Sequence, residues 1–446
     1  MRTLHADLLA KQLTGGQPAN QAIFTSRDGG TTYDYSFNPT VTTNRLEDIE
    51  NHLEPFDDYC VMILRNDDLA VPDITGYYVD LGLGYNTDSG LRYGTRPRLW
   101  IKKRHVLSGG DKESKKDLKV ILELEGVLNI LKEQKVLIGA PPKYQDNFGE
   151  LTGKTIYGLL EYLIETTLTL ATGITFTLDA LGDQDDGIIN TLVLESVHNY
   201  LQPFLNPNAP NSFETFMDVF ERILAFTGCY LRPEASCAFK IVYPQSTDAV
   251  DETYYSSMAD GHVFYEYTNR DFVKIPNRVK LFVRLGDTWD VSTKNGQATA
   301  TTASHLIDTT KNQFIAGDVG KSVHNKTDDT WAEITAYTSS SDLTLSGNIF
   351  TVNEQYEIFA EDQYIQGEAY SDDYDQTTWA FNGQYMPLIA IHTAGPVIAT
   401  QANADALAKH ILNKYGAETF GGRVVVPLDS RCELYDRVAI SDARGT

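Results

Sequence analysis

The stretch Leu118-Lys119-Val120-Ile121-Leu122-Glu123-Leu124-Glu125 places Leu118, Val120, Leu122 and Leu124 at every second position, with Lys119, Ile121, Glu123 and Glu125 between them. Side chains of an extended chain point to opposite faces in turn, so this period of two predicts a strand with one buried face. Working back from it, Ser108-Gly109-Gly110-Asp111-Lys112-Glu113-Ser114-Lys115-Lys116 reads as a solvated hairpin tip, and Arg98-Leu99-Trp100-Ile101-Lys102 as the strand before it. Further strands are predicted at 77–81, ahead of the Gly82/Gly84 pair, at the apolar run 59–64, and at 22–26. Closely spaced strands with turn signals between them predict a β-barrel or sandwich over residues 1–135.

The character changes after Pro141-Pro142. Thr155 is placed to cap a helix carrying Ile156, Leu159, Leu160, Leu163 and Ile164, which Gly173 stops. A second helix is predicted from Asn211, with Glu214 as its capping-box partner, an apolar face of Phe213, Phe216, Met217, Phe220 and Leu224, and an end at Gly228. A hairpin follows, from 229–231 to 239–243. Residues 136–235 are therefore expected to form an α+β insert.

From about 236 the chain returns to β. Val279, Leu281, Val283 and Leu285 alternate with Lys280, Phe282 and Arg284. The Thr/Ser/Ala-rich stretch 292–304 reads as a linker. After it, strand signals at 319–323, 332–337, 343–345 and 356–359 predict a small β-module over 305–360, or 296–360 with the end of the linker. Ala404, Leu407, Ala408, Ile411, Leu412 and Tyr415 fall on one face of a helix, with Asn403 as its cap and Gly416 as its stop. Strands at 423–426 and 436–440 close the chain.

At 446 residues the chain is long enough for roughly three domains. Apolar residues make up 42%, enough for sizeable cores, and 25 tyrosines favour β-structure and contact surfaces. The formal net charge of -24 opposes the counterion release on which phosphate binding depends. Specific nucleic-acid binding is therefore not expected, and anionic membranes are poor partners. No stretch approaches the roughly 18 apolar residues of a membrane span, and the N-terminus carries no apolar signal region, so synthesis and retention in a cytoplasm are expected. Cys60, Cys229, Cys237 and Cys432 form no CxxC pair and are read as reduced thiols, with Cys229 and Cys237 on adjacent strands of one hairpin.

No motif calls for a catalytic, cofactor or metal site. Residues 149–155 and 317–322 resemble phosphate loops but have too few residues between their glycines. They are read as a helix start and a turn into a strand. Asp183-Gln184-Asp185-Asp186-Gly187 lacks calcium-loop spacing and reads as a solvated acidic turn, as does the run 371–375. The nine histidines form no HxH or HExxH, and there is no GxSxG. A pair of glycosidase carboxylates, which only folding brings together, leaves no sequence signal among 61 acids. Trp331 and Tyr337 in the module are the candidate ligand-binding residues. Exposed, they could stack on sugar faces; otherwise they fill the module's core.

Three segments together resemble the tail-tip or baseplate hub proteins of tailed phages. The first is Met1-Arg2-Thr3-Leu4 with the strand at 22–26. The second is the helix, glycine and strand unit of 213–243. The third is the ending: a helix, Gly416, Gly422-Arg423-Val424-Val425-Val426-Pro427, then Leu434-Tyr435-Asp436-Arg437-Val438-Ala439-Ile440-Ser441-Asp442, similar to that family's closing helix and hairpin. The segment from Leu306-Ile307-Asp308 through 342–347 to Tyr356 also resembles a small β-module of phage tail proteins.

The resemblance implies a mainly β chain with an α+β insert. Two tail-tube-like β-barrel domains are expected, at 1–135 and at 236–295 with 361–446, together with the inserted module. It implies a non-enzymatic hub in the virion, assembled in the host cytoplasm. Three chains with two barrels each would make a homotrimeric, pseudo-six-fold ring. Its implied partners are the tail tube or a distal tail protein, the tape-measure protein, and tip spike or fibre proteins, with DNA passing through the lumen. The acidic composition agrees with a lumen that repels phosphates. The second reading is a tail-tip carbohydrate-binding adhesin using the 305–360 module, and the third a cell-wall hydrolase. The last strand reads as half a hairpin, completed by a neighbouring subunit or lost from a longer chain.

Overall fold

The computed structural model describes residues 4–37, 44–107, 118–136, 154–192, 215–245, 248–271, 276–284, 292–359, 364–371, 389–394 and 401–443. The fold is mainly β. It comprises two compact units, Met1–Val273 with Asn413–Thr446, and Lys274–Leu412.

The first unit opens on a helix, α1 (Ala6–Thr14), absent from the sequence expectations because a nine-residue amphipathic turn is easily taken for a loop. An eight-stranded sheet follows: β1 (Pro18–Thr25), β2 (Thr32–Phe37), β3 (Leu46–Glu54), β4 (Asp57–Arg65), β5 (Tyr78–Thr87), β6 (Gly90–Thr95), β7 (Leu99–Leu107) and β8 (Lys119–Gly126). Its order is β2-β1-β5-β7-β8-β4-β3, with β6 on β5. A Ser36–Asn44 bridge brings the two ends of the sheet together. The predicted alternation holds: Val120, Leu122 and Leu124 point into a core with Cys60, Met62, Leu64, Phe24 and Leu81. Strand β5 runs through Gly82 and Gly84 instead of stopping at them.

Helix α2 (Val127–Glu133) caps this sheet by burying Val127, Leu128 and Leu131. At its start lies Asp58, 2% exposed. Asn129 donates its side-chain amide to the Asp58 carbonyl (2.7 Å) and its backbone N–H to Asp58 Oδ1 (3.4 Å). Oδ2 has no hydrogen-bond partner among the described residues. The carboxyl fits only because residue 126 is glycine: a Cβ there would lie 1.9 Å from Oδ2.

The α+β part begins at α3 (Ile156–Glu161), capped by Thr155 as expected through its 3.1 Å bond from Gly158 N–H. A π-helical turn, Tyr162–Leu168, continues it. The second helix is Phe216–Leu224, and its capping box is Thr215 with Asp218 rather than Asn211 with Glu214. Tertiary pairing decides this, because Phe216 N–H donates to Gln134 O (3.1 Å) and Thr215 bridges Lys135. Residues 211–214, Phe213 among them, lie outside the described residues, as do 149–153 and 372–375. Strands β9 (Thr177–Leu178), β10 (Tyr230–Pro233) and β11 (Ala238–Val242) form a sheet in the order β10-β11-β9. Cys229 and Cys237 sit just ahead of β10 and β11, buried and unbridged; Cys60 is also a buried free thiol, and Cys432 a half-buried one. The acidic turn is a fastening more than a solvated loop. Asp186 accepts from Ile188, Ile189 and Gly228 N–H, at 2.9, 2.7 and 2.6 Å.

Two short sheets complete this unit. Strands β12 (Glu252–Tyr255) and β13 (His262–Val263) pair in parallel, and Val438–Ser441 pairs in parallel with β12. Strand β14 (Glu266–Asp271) pairs antiparallel with Phe420–Val425. The last two strands of the chain therefore do not form the expected hairpin with each other.

In the second unit, β15 (Arg278–Arg284) lies between β22 (Tyr364–Tyr370), antiparallel, and β23 (Ile389–Ala394), parallel. The helix Gln401–Thr419 rests on β22, where a Cβ on Gly367 would come within 2.2 Å of Ala404 O. It does not stop at Gly416. The module contains β16 (Ser292–Gln297), β17 (His305–Ile307), β18 (Ser322–Asn325), β19 (Thr330–Ser339), β20 (Asp342–Leu345) and β21 (Gln355–Phe359). The stretch read as a linker supplies β16, and its continuation closes the sheet: Thr299 N–H donates to Ile307 O (2.7 Å). Its order is thus β16-β21-β18-β19-β20-β17 and back to 299–300. Leu306, Phe314, Val323, Ile334, Leu343, Tyr356 and Ile358 fill it. Residues 319–321 form a turn at Gly320 (φ +89°), and the strand begins at Ser322.

Burial pushes the Asp58 carboxyl up to about 8. The folded chain then holds a proton that the unfolded chain has shed above about pH 4. Stability must fall as pH rises through that window and level off above about pH 8. Asp58→Asn keeps the shape without the proton, so it should be the more stable protein at pH 8 by a few kcal/mol and nearly equal to the parent at pH 4. Urea denaturation at the two pH values measures the difference.

Candidate functional site

Among the described residues, buried charge concentrates in the segment between the last two strands. Asp429 and Ser430 are 6% and 0% exposed. Chain direction puts them there: once Phe420–Val425 pairs with β14 and Val438–Ser441 with β12, the connecting residues must cross the edge of the eight-stranded sheet. Gln12 of α1 donates to Asp429 Oδ1 (3.2 Å), and its own Oε1 accepts Ser430 N–H (2.9 Å). Ser430 Oγ donates to Leu83 O (2.7 Å), and Tyr85 OH to Leu428 O (2.9 Å). Arg96 donates to Cys432 O (2.7 Å) and Asp429 O (3.3 Å).

The other side of Asp429 faces β12 and β13. Tyr254 OH donates to Oδ2 (3.1 Å), and His262 Nδ1 lies 3.3 Å from the same oxygen. Arg431 donates to both oxygens, at 3.1 and 3.0 Å, and also pairs with Glu252. Burial alone would raise the Asp429 carboxyl; His262 and Arg431 outweigh it and hold the group well below the usual carboxylate range. Burial and the neighbouring carboxylate push the Tyr254 hydroxyl far up.

A second buried cation extends the network. Arg232 of β10 binds Glu234 (2.7 Å), Glu433 (3.4 Å) and Asp436 (3.4 Å), and donates to Leu434 O (3.3 Å). Tyr230 and Tyr435 stack at 4.6 Å, with Tyr435 in the left-handed region (φ +69°). Segment 428–437 is thus tied to α1, β5, the loop after β6, β10, β12 and β13. A Tyr–His–Asp grouping can relay protons in principle. Here the side chains of His262 and Asp429 are both 1% exposed, so no path leads from them to a substrate. Among the described residues, no group of three or more His, Cys, Asp or Glu is placed to hold a metal ion.

The predicted ligand residues stand on β19 in the module. Trp331 lies outside the core cluster. It stacks on His324 (4.2 Å, 12°) and packs on Phe359 (5.2 Å). Around it, His324 bonds Asp329 (2.8 Å) and Lys326 bonds Glu357 (2.8 Å). Tyr337 is 39% exposed. It stands six residues along the same strand, about 20 Å away at strand rise, so the fold does not bring the pair together. Sequence reasoning missed the Asp429 network. Its only local trace is the charge-rich run Asp429-Ser430-Arg431-Cys432-Glu433 between two apolar strands.

No protein-family model and no curated protein matches the chain. Solved structures similar to it include a tail protein from Neisseria meningitidis MC58, at 12% identity and TM-score 0.49, over 96% of this chain and 87% of that one. Prophage tail protein gp18 from Listeria monocytogenes EGD-e follows at 10% and 0.43, over 93% and 82%. The 43 kDa tail protein of prophage MuSo2 from Shewanella oneidensis stands at 10% and 0.43, over 95% and 89%.

Removing the Asp429 charge leaves Arg431 buried without its main partner. Asp429→Ala should destabilise the first unit by about 3–5 kcal/mol. The native carboxyl lies below its unfolded value, so its contribution is present above about pH 4 and is lost as pH falls further. Urea denaturation of parent and variant at pH 7 and pH 3 should show the gap closing at the lower pH.

Proposed function

We propose that this chain is a structural subunit of a phage tail, built into the tip or baseplate as a hub. Three copies form a pseudo-six-fold ring that joins the tail tube to the tip and lets DNA pass. The tail tube or distal tail protein, the tape-measure protein and the spike or fibre proteins are its neighbours in the virion. The observation that carries the reading is the order of elements. An eight-stranded curled sheet, an α+β segment, and a closing helix followed by Phe420–Val425 and Val438–Ser441 stand in the sequence the resemblance implies. The chemistry agrees with it: the strongest buried charges are spent on holding the chain together, and the net charge of -24 disfavours adhesion to passing phosphates.

Light scattering and negative-stain imaging of the purified chain test the ring. Three chains around a central hole are expected, and a single-chain mass at every loading overturns a self-assembled ring.

A second role is favoured by one observation, the position of Trp331 outside the module's core with polar side chains around it. In this reading the module binds carbohydrate on the host surface. A glycan screen followed by titration of Trp331→Ala decides it: the variant should lose at least most of the binding, and unchanged binding removes Trp331 from the site.

A further inference from the structure

The chain enters and leaves the small β-module at neighbouring points. Strand β15 pairs antiparallel with β22 as far as Arg284 and Tyr364, the last pair of that ladder. Strand β16 pairs antiparallel with β21 from Ser292 and Phe359, the first pair of the next. Residues paired across an antiparallel ladder stand roughly 5 Å apart. The outgoing and returning chain are therefore side by side twice, once on the carrying sheet and once on the module. Residues 285–291 and 360–363, which join the two pairs, lie outside the described residues. Without the module, β15 and β22 are the two arms of one hairpin, a connection that two residues can close.

The module also supplies its own folding contacts. Among the described residues, its core cluster runs from Ala298 to Ile358 and takes no side chain from elsewhere in the chain. Its six strands pair only with one another. Its buried polar groups find their partners inside it. Asp318, 0% exposed, holds Lys294 on one carboxylate oxygen and Lys321 (3.0 Å) on the other, and accepts Ile315 N–H (2.9 Å). Asn325, also 0% exposed, donates to Ile349 O (2.6 Å) and to Glu354 (2.9 Å). Domains of about 60 residues can fold alone, and residues 292–359 reach that size.

We propose that residues 292–359 fold independently of the rest of the chain and are carried on the tip of the β15–β22 hairpin as an exchangeable recognition unit. An insertion whose two ends lie side by side puts no demand on the fold that receives it. Assembly then belongs to the parts outside 285–363, and recognition of the host surface to the module. The recognition clause rests on the carbohydrate reading of Trp331, and the folding clause does not.

Hydrogen exchange on the full chain tests the folding. Leu343 is 0% exposed in the module core, and Leu343→Ala opens a cavity there. Exchange in β18, β19, β20 and β21 should speed up by roughly thirtyfold or more, while β15 and β22 keep the parent's protection. Equal acceleration in β15 and β22 overturns independent folding. A second variant replaces residues 285–363 by Asn-Gly. It should keep a folded circular dichroism spectrum and the parent's number of chains per particle by light scattering. A shortened chain that does not fold overturns the unit as exchangeable, and the hydrogen exchange of Leu343→Ala still decides its independence. Any glycan that the parent binds in the screen should be lost by the shortened chain. Binding kept by the shortened chain overturns the module as the recognition unit; a parent that binds no glycan overturns the carbohydrate reading and leaves the folding result standing.

Discussion

The burial of the Asp429 carboxylate ties parts of the first unit that lie far apart in the chain to one another. A carboxylate removed from water loses several kcal/mol of solvation, and only well-placed donors and charges offset that loss. The donors come from α1, β12 and the segment itself, with His262 of β13 beside them, and Gln12 stands 417 positions away in the chain. None can shift by a residue without leaving the charge unmatched. An apolar contact tolerates sliding, whereas this one fixes the depth at which the segment sits and hence the register of the strands on either side. Arg232 repeats the device on β10, with three acids and a carbonyl held by one guanidinium.

The two barrel-like sheets treat their edges differently. The module returns from β17 to residues 299–300 and pairs all the way round, so its backbone groups are met within the chain. Its buried polar side chains serve the same end. Asp308 accepts Thr310 and Lys311 N–H and the Tyr356 hydroxyl; Asn325 accepts Thr327 N–H and donates to Ile349 O. A self-contained body of this kind can display a surface patch without needing a neighbour. Among the described residues the eight-stranded sheet instead joins its two ends only at the Ser36–Asn44 bridge, and β7 runs beyond β5.

What could be read from the residues was local. The alternation at 118–125, the apolar run at 59–64, the module strands at 332–337, 343–345 and 356–359 and the helix capped by Thr155 each carry their signal within a few positions. The failures share a cause in long-range pairing. Asn211-x-x-Glu214 and Thr215-x-x-Asp218 are equal as capping signals, and only the pairing of 215–216 with 134–135 distinguishes them. Gly416 costs a helix about 1 kcal/mol against alanine, too little to stop one. One turn earlier, Lys414 is anchored on Leu224 O (3.2 Å) and over the Tyr230 ring. The expected final hairpin failed because the strands that take its place, β12 and β14, lie roughly 150 to 190 positions earlier in the chain, beyond any local window.

The candidate site was the least legible feature, and the reason bears on function. Strongly shifted titratable groups often mark catalytic centres, where a fold keeps a charge unsatisfied for use on a substrate. At Asp429 the shift has the opposite origin. The carboxylate is driven down by an excess of donors from the chain itself, and its neighbours His262 and Tyr254 are sealed from solvent with it. Asp58 is shifted up chiefly by burial, with the neighbouring Asp57 charge adding to it, and sits buried under a helix start. Charge used this way sets geometry: it fixes the 428–437 segment and the start of α2 in one arrangement.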